Sequence, residues 1–114
     1  MKVTIIRRIT AAAPALAIAM TMLAITSHPA NAANGKVLFG QRLCITCHGP
    51  EGKAPIQSTY PKLAGQNKDY LVQQITDIQS GARNNGLTQA MKPLIKDVTA
   101  EEIDAIAEYL AAIE

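Results

Sequence analysis

Cys44-Ile45-Thr46-Cys47-His48 constrains this chain more than any other stretch. Two thiols followed at once by an imidazole form C-x-x-C-H, the pattern of covalent c-type haem attachment. The chemistry explains the spacing. Each thiol can add across one vinyl group of the porphyrin, giving two thioether bonds. The next residue then presents an imidazole beneath the iron, so His48 is the expected proximal ligand through a neutral ring nitrogen. A haem c held this way cannot dissociate, which suits a small chain working outside the cytoplasm.

Other uses of C-x-x-C are a redox dithiol and half of a zinc site. A redox dithiol usually follows a β-strand, and only a short helical pattern precedes Cys44. A four-ligand zinc site needs two more Cys or His. The chain has two Cys in total, and its other His, His28, lies in a segment that reads as an export signal. A disulfide between Cys44 and Cys47 would close too small a loop to stabilise much.

That export signal is expected over residues 1–32. Lys2, Arg7 and Arg8 form a basic start, an apolar run follows from Ile9 to Ile25, and Ala30-Asn31-Ala32 offers small residues at the positions a signal peptidase reads. Thr10, Pro14 and Thr21 interrupt the run, which makes it a poor membrane span. The expected mature domain is residues 33–114, placed in the periplasm. Removing the basic start leaves 8 basic against 9 acidic residues, a formal charge of −1. No basic tract remains to suggest nucleic acid. The acids between Asp97 and Glu114 read as a solvated helix face. A domain of this size is small for a purely protein core, and a buried porphyrin would supply apolar mass.

The mature region reads as all-α, with about three main helices joined by long loops. Asn34 is the expected cap of a first helix over Gly35 to Leu43. Gly49, Pro50, Gly52, Pro55, Pro61 and Gly65 predict an irregular loop to Gln66. A second helix is expected after Asn67, with Tyr70, Leu71, Ile75 and Ile78 at helical spacing, ending at Ser80-Gly81. Gly86 and Pro93 predict a broken stretch containing Met91. Thr99 and Glu102 form a capping box for the last helix, whose apolar stripe is Ile103, Ile106, Ala107 and Leu110. The loop from Gly49 to Gln66 is long for so small a domain, and a haem it can wrap would justify it.

Elimination points to the second axial ligand. Met1, Met20 and Met22 leave with the signal, so Met91 is the remaining thioether and His48 the remaining imidazole. Lys92, Lys96 and the tyrosines are other possible ligands, and ordinary core packing is the other use of Met91. His/Met ligation favours ferrous iron and fills both axial positions, which describes an electron carrier.

In this combination the sequence resembles the class I c-type cytochromes, in particular the small single-haem periplasmic ones of bacteria. The resemblance rests on the attachment motif, the Met-x-Pro stretch at Met91 and an aromatic-bearing last helix, and it covers residues 34 to 114. It implies the class I cytochrome c fold around one haem. It implies that the first and last helices cross closely at Gly35, Phe39 and Tyr109. It also implies that the Pro61 carbonyl accepts a hydrogen bond from His48, that Leu63 packs on the haem, and that Arg83 in Gly81-x-Arg83-x-Asn85 pairs with a propionate. This chain has no Trp, which some members use for that last task. The expected function is single-electron transfer in the periplasm, as a monomer in transient contact with redox proteins such as a respiratory complex, a dehydrogenase or a terminal oxidase. The other expectation is a haem subunit of a larger periplasmic oxidoreductase. Neither requires an enzymatic activity of this chain, nucleic acid or a membrane span after cleavage.

Overall fold

A computed structural model describes residues 28–114, so the expected signal segment falls almost wholly outside the described residues. Five α-helices follow in order: α1 (His28–Gln41), α2 (Cys44–His48), α3 (Lys68–Ser80), α4 (Thr88–Ile95) and α5 (Ala100–Ala111). One 3-10 turn, Pro50–Gly52, follows α2, and no strand occurs among the described residues. No helix among them is long and apolar enough to cross a membrane.

Helix α1 does not begin at Asn34. It starts at His28, and Asn34 lies exposed in its interior. Pro29 sits in the first turn, where a missing N–H is tolerated, and Ala30, Ala32 and Ala33 favour helix. That local propensity outweighs the capping preference of Asn34. Gly35, further along, faces α5. A Cβ there would overlap the Ala105 carbonyl and lie 2.8 Å from Tyr109 Cβ, so the two helices cross at a distance only glycine permits. One turn on, the Phe39 and Tyr109 rings tilt together with centroids 6.1 Å apart. Arg42, just past α1, closes the crossing with both carboxylate oxygens of Glu102, at 2.5 and 2.6 Å.

Helix α5 is the buried spine. Its N-terminus has the expected box: Glu102 N–H donates to Thr99 Oγ1 at 3.3 Å, and Thr99 N–H donates to Glu102 Oε2 at 3.0 Å. Ile103, Ile106, Ala107 and Leu110 are all buried, the last two at 0 and 1 % exposure. Helix α3 packs beside it, and Lys68 reaches Asp104 at 2.9 Å and Glu108 at 3.3 Å. Asn67 caps α3 by accepting from Tyr70 N–H, and Gly81 ends it in a left-handed conformation. Leu71 and Ile78 are buried and Ile75 half-buried, but Tyr70 is exposed. It lies one residue, about 100° of helix, off the stripe that runs Leu71, Ile75, Ile78.

Helix α4 departs from expectation. The stretch around Met91 is not a broken loop, and Pro93 lies inside a two-turn helix. Pro93 is exposed, and its ring removes one backbone bond, the one that would reach Gln89. Buried Ile95 anchors the helix instead, and Thr88 Oγ1 donates to the Asn85 carbonyl at 2.7 Å before its start.

Candidate haem site

Leu43 adopts a left-handed φ of 60°, a conformation that costs a non-glycine residue about 1–2 kcal/mol. It turns the chain from α1 into α2. In α2, positions i, i+3 and i+4 share one side, so Cys44, Cys47 and His48 are neighbours on a single face. All three line one cavity of about 320 Å³.

The irregular loop positions the imidazole. Ile56 N–H bonds the Cys47 carbonyl at 3.1 Å, Leu63 N–H bonds Gly52 at 2.9 Å, and Gly65 N–H bonds Leu110 at 2.9 Å. These ties bring the Pro61 carbonyl to 2.9 Å from His48 Nδ1. A carbonyl oxygen can only accept, so Nδ1 carries the proton and Nε2 keeps the lone pair. His48 is buried, and its ring stands 6.4 Å from that of Tyr60.

Most of the remaining wall is apolar. Phe39 comes from α1, Leu63 from the loop, Leu71, Ile75 and Ile78 from α3, Met91 and Ile95 from α4, and Ile103, Ile106 and Leu110 from α5. Half-buried Met91 thus faces the same cavity as His48, carried there by a helix. Two arginines line the space. Arg42 is paired with Glu102. Arg83 is held by a neutral partner, donating to Gln74 Oε1 at 2.7 Å, and no carboxylate pairs with it among the described residues. A half-buried guanidinium at an apolar cavity is suited to a carboxylate brought by a ligand.

The donor set fits a covalently attached haem. The cavity, about 320 Å³, is mostly apolar and opens to the surface at one rim, a shape suited to a large apolar group with one exposed edge. Burial pushes the Cys44 thiol up to about 11, so it is protonated at neutral pH and a poor nucleophile for disulfide exchange. Among the described residues, no three His, Cys, Asp or Glu side chains cluster as a metal site.

Sequence reasoning missed the helix carrying Met91, the amide of Gln74 behind Arg83, and the side chain of Gln79. Gln79 bonds the Ile95 and Val98 carbonyls and joins α3 to the end of α4. One signal for it was present: Gln79 follows Leu71 and Ile75 at four-residue intervals, a polar residue on an apolar stripe.

Comparison with known proteins places the chain in a family. The family model described as Cytochrome c matches residues 32–114. The chain is 34% identical over 80 residues to cytochrome c4 of Azotobacter vinelandii, covering 69% of this chain and 38% of that protein. It is 33% identical over 96 residues to the thiosulfate dehydrogenase electron acceptor of Stutzerimonas stutzeri, covering 78% and 43%. The crystal structure of reduced recombinant cytochrome c4 from Pseudomonas stutzeri superposes with a TM-score of 0.66 at 32% identity, covering 75% of this chain and 50% of that one. The chain spans about two fifths of the length of these curated relatives.

Proposed function

The chain belongs to the cytochrome c family, and on that premise we propose that it carries single electrons on one covalently attached haem c with His48 and Met91 as axial iron ligands. The observation that carries this reading is the convergence of Cys44, Cys47, His48 and Met91 on one apolar cavity. When bound, the haem supplies a one-electron Fe(III)/Fe(II) couple. Cys44 and Cys47 would hold the porphyrin by thioether bonds. His48 would bind iron through Nε2, while the Pro61 carbonyl fixes its ring and raises its basicity. Met91 would fill the remaining position with a thioether, which raises the potential and keeps substrates off the iron. Leu63 would pack on the porphyrin, and Arg83, steadied by Gln74, would pair with a propionate.

The role is proposed for the periplasm, reached through a signal cleaved near Ala32. Leu43, Leu87 and Leu94 line the cavity and are also about half exposed, so the rim is apolar and open to a partner. Redox encounters of this kind are small and transient. The named role of the Stutzerimonas relative supports a dehydrogenase as donor. A second reading, a haem subunit or haem-bearing part of a larger electron-transfer protein, is favoured by one observation: the curated relatives above are more than twice as long as the region they share with this chain.

Carbon monoxide titration of the ferrous holoprotein tests the axial assignment. The parent protein is expected to bind it poorly, and Met91→Ala to bind it readily with a change to high spin. Ready binding by the parent, or an unchanged spectrum in Met91→Ala, would remove Met91 from the iron.

A further inference from the structure

Helix α4 places Met91, yet little within α4 holds it together. Two turns are well below the roughly 12–15 residues at which an isolated helix becomes even marginal in water. Its N-cap, Leu87, supplies no side-chain bond, and Pro93 deletes a backbone bond within it. The last carbonyls of any helix also need partners from outside. Here one of them, Ile95 O, accepts from Gln79 Nε2 at 2.6 Å and from Val98 N–H at 3.1 Å. The same nitrogen donates to Val98 O at 2.9 Å, in the link to α5. Both partners are carbonyl oxygens, which can only accept, so the amide must present its NH2 group there. Beside buried Ile95 and the Val98 N–H, one side chain of α3 therefore bridges the end of the helix that carries the thioether to the link beyond it.

We propose that Gln79 is a positioning residue for the sixth iron ligand, setting how readily Met91 leaves the iron. The inference rests on the axial role proposed above for Met91. Gln79 is absent from the cavity wall, so it acts through α4 and does not touch the cofactor. Release of its two bonds leaves the end of α4 held by Ile95 and the Val98 N–H alone, and the loosened helix would let Met91 leave more often. An external nitrogen base then enters. Its lone pair replaces that of the sulfur, with iron oxidation state and total charge unchanged.

The test is imidazole binding to the ferric holoprotein, followed by loss of the far-red sulfur–iron band. Gln79→Leu keeps the bulk and removes both donors. Its imidazole association constant is expected to rise about tenfold, the size of one or two net hydrogen bonds. Gln79→Lys restores N–H donors at similar reach and is expected to bring the constant back towards the parent value. Tyr109→Leu serves as the control, because it loosens the α1–α5 crossing away from α4. It should lower the melting temperature and leave imidazole affinity where it was. An unchanged constant in Gln79→Leu, or an equal rise in Tyr109→Leu, overturns the proposal while leaving Met91 ligation intact. A parent protein with no far-red band overturns the ligation reading itself, and this inference with it.

Discussion

Withholding the haem should unfold this domain, and the cavity sets the size of the effect. Its volume is about 320 Å³, and at about 24 cal/mol per Å³ a closed void of that size would cost about 8 kcal/mol, which is the upper bound for a cavity with an open rim. Water at the rim and partial collapse of the wall lower that figure, yet a few kcal/mol is a large share of the stability of a small domain, about 5–15 kcal/mol in total. Residues from every helix line the cavity, so collapse at one place strips contacts from the others. The protein should be produced without a haem-attachment system and compared with the holoprotein by near- and far-ultraviolet circular dichroism, thermal melting and ANS fluorescence. The expected product keeps some helix, binds ANS and shows no cooperative melt. A haem-free chain with the holoprotein's near-ultraviolet signal and a sharp transition would show that the core closes by itself, and would refute the argument.

Two other expectations concern the scaffold. Gly35→Ala places a methyl group into the Ala105 carbonyl, so the α1–α5 crossing must open; a loss of at least about 1–3 kcal/mol is expected in urea unfolding of the holoprotein, and a neutral result would disprove the close approach. Glu102 is held below its ordinary value of 4.5, first by the Arg42 hydrogen bond and then by the Thr99 N–H. Its contribution is therefore complete above that ordinary value and is lost as pH falls through the lower folded value. The gap in urea midpoint between the parent and Glu102→Gln should accordingly be widest near neutrality and close in acid; a gap independent of pH would count against the ionised box.

Local signals made much of this molecule readable. The motif, the breaker-rich loop, the Asn67 and Gly81 ends of α3 and the Thr99–Glu102 box each depend on residues a few positions apart. Gly35, Phe39 and Tyr109 were legible through resemblance, and the crossing they form is present. What escaped depends on competition or on distance. Asn34 offers a cap, but in the uncleaved chain the alanines before it extend the helix past it. Pro93 reads as a breaker, yet at an exposed position it deletes one bond from a helix anchored by buried Ile95. The pairing of Arg83 with Gln74 and the clamp from Gln79 to α4 join residues 9 to 19 positions apart; periodicity marks Gln79 as a polar residue on an apolar stripe but names no partner for it.

A covalent haem bound by His48 and Met91 has a distinct optical signature. The most direct test is the absorption spectrum of the purified protein from a host with a working attachment system, oxidised and reduced, and repeated after denaturation. Covalent haem retained through denaturation, a low-spin reduced c-type spectrum and a weak far-red sulfur–iron band in the oxidised form are expected. A colourless protein, or haem extracted by denaturant, would contradict the attachment at Cys44 and Cys47; covalent haem without the far-red band would contradict the place given to Met91.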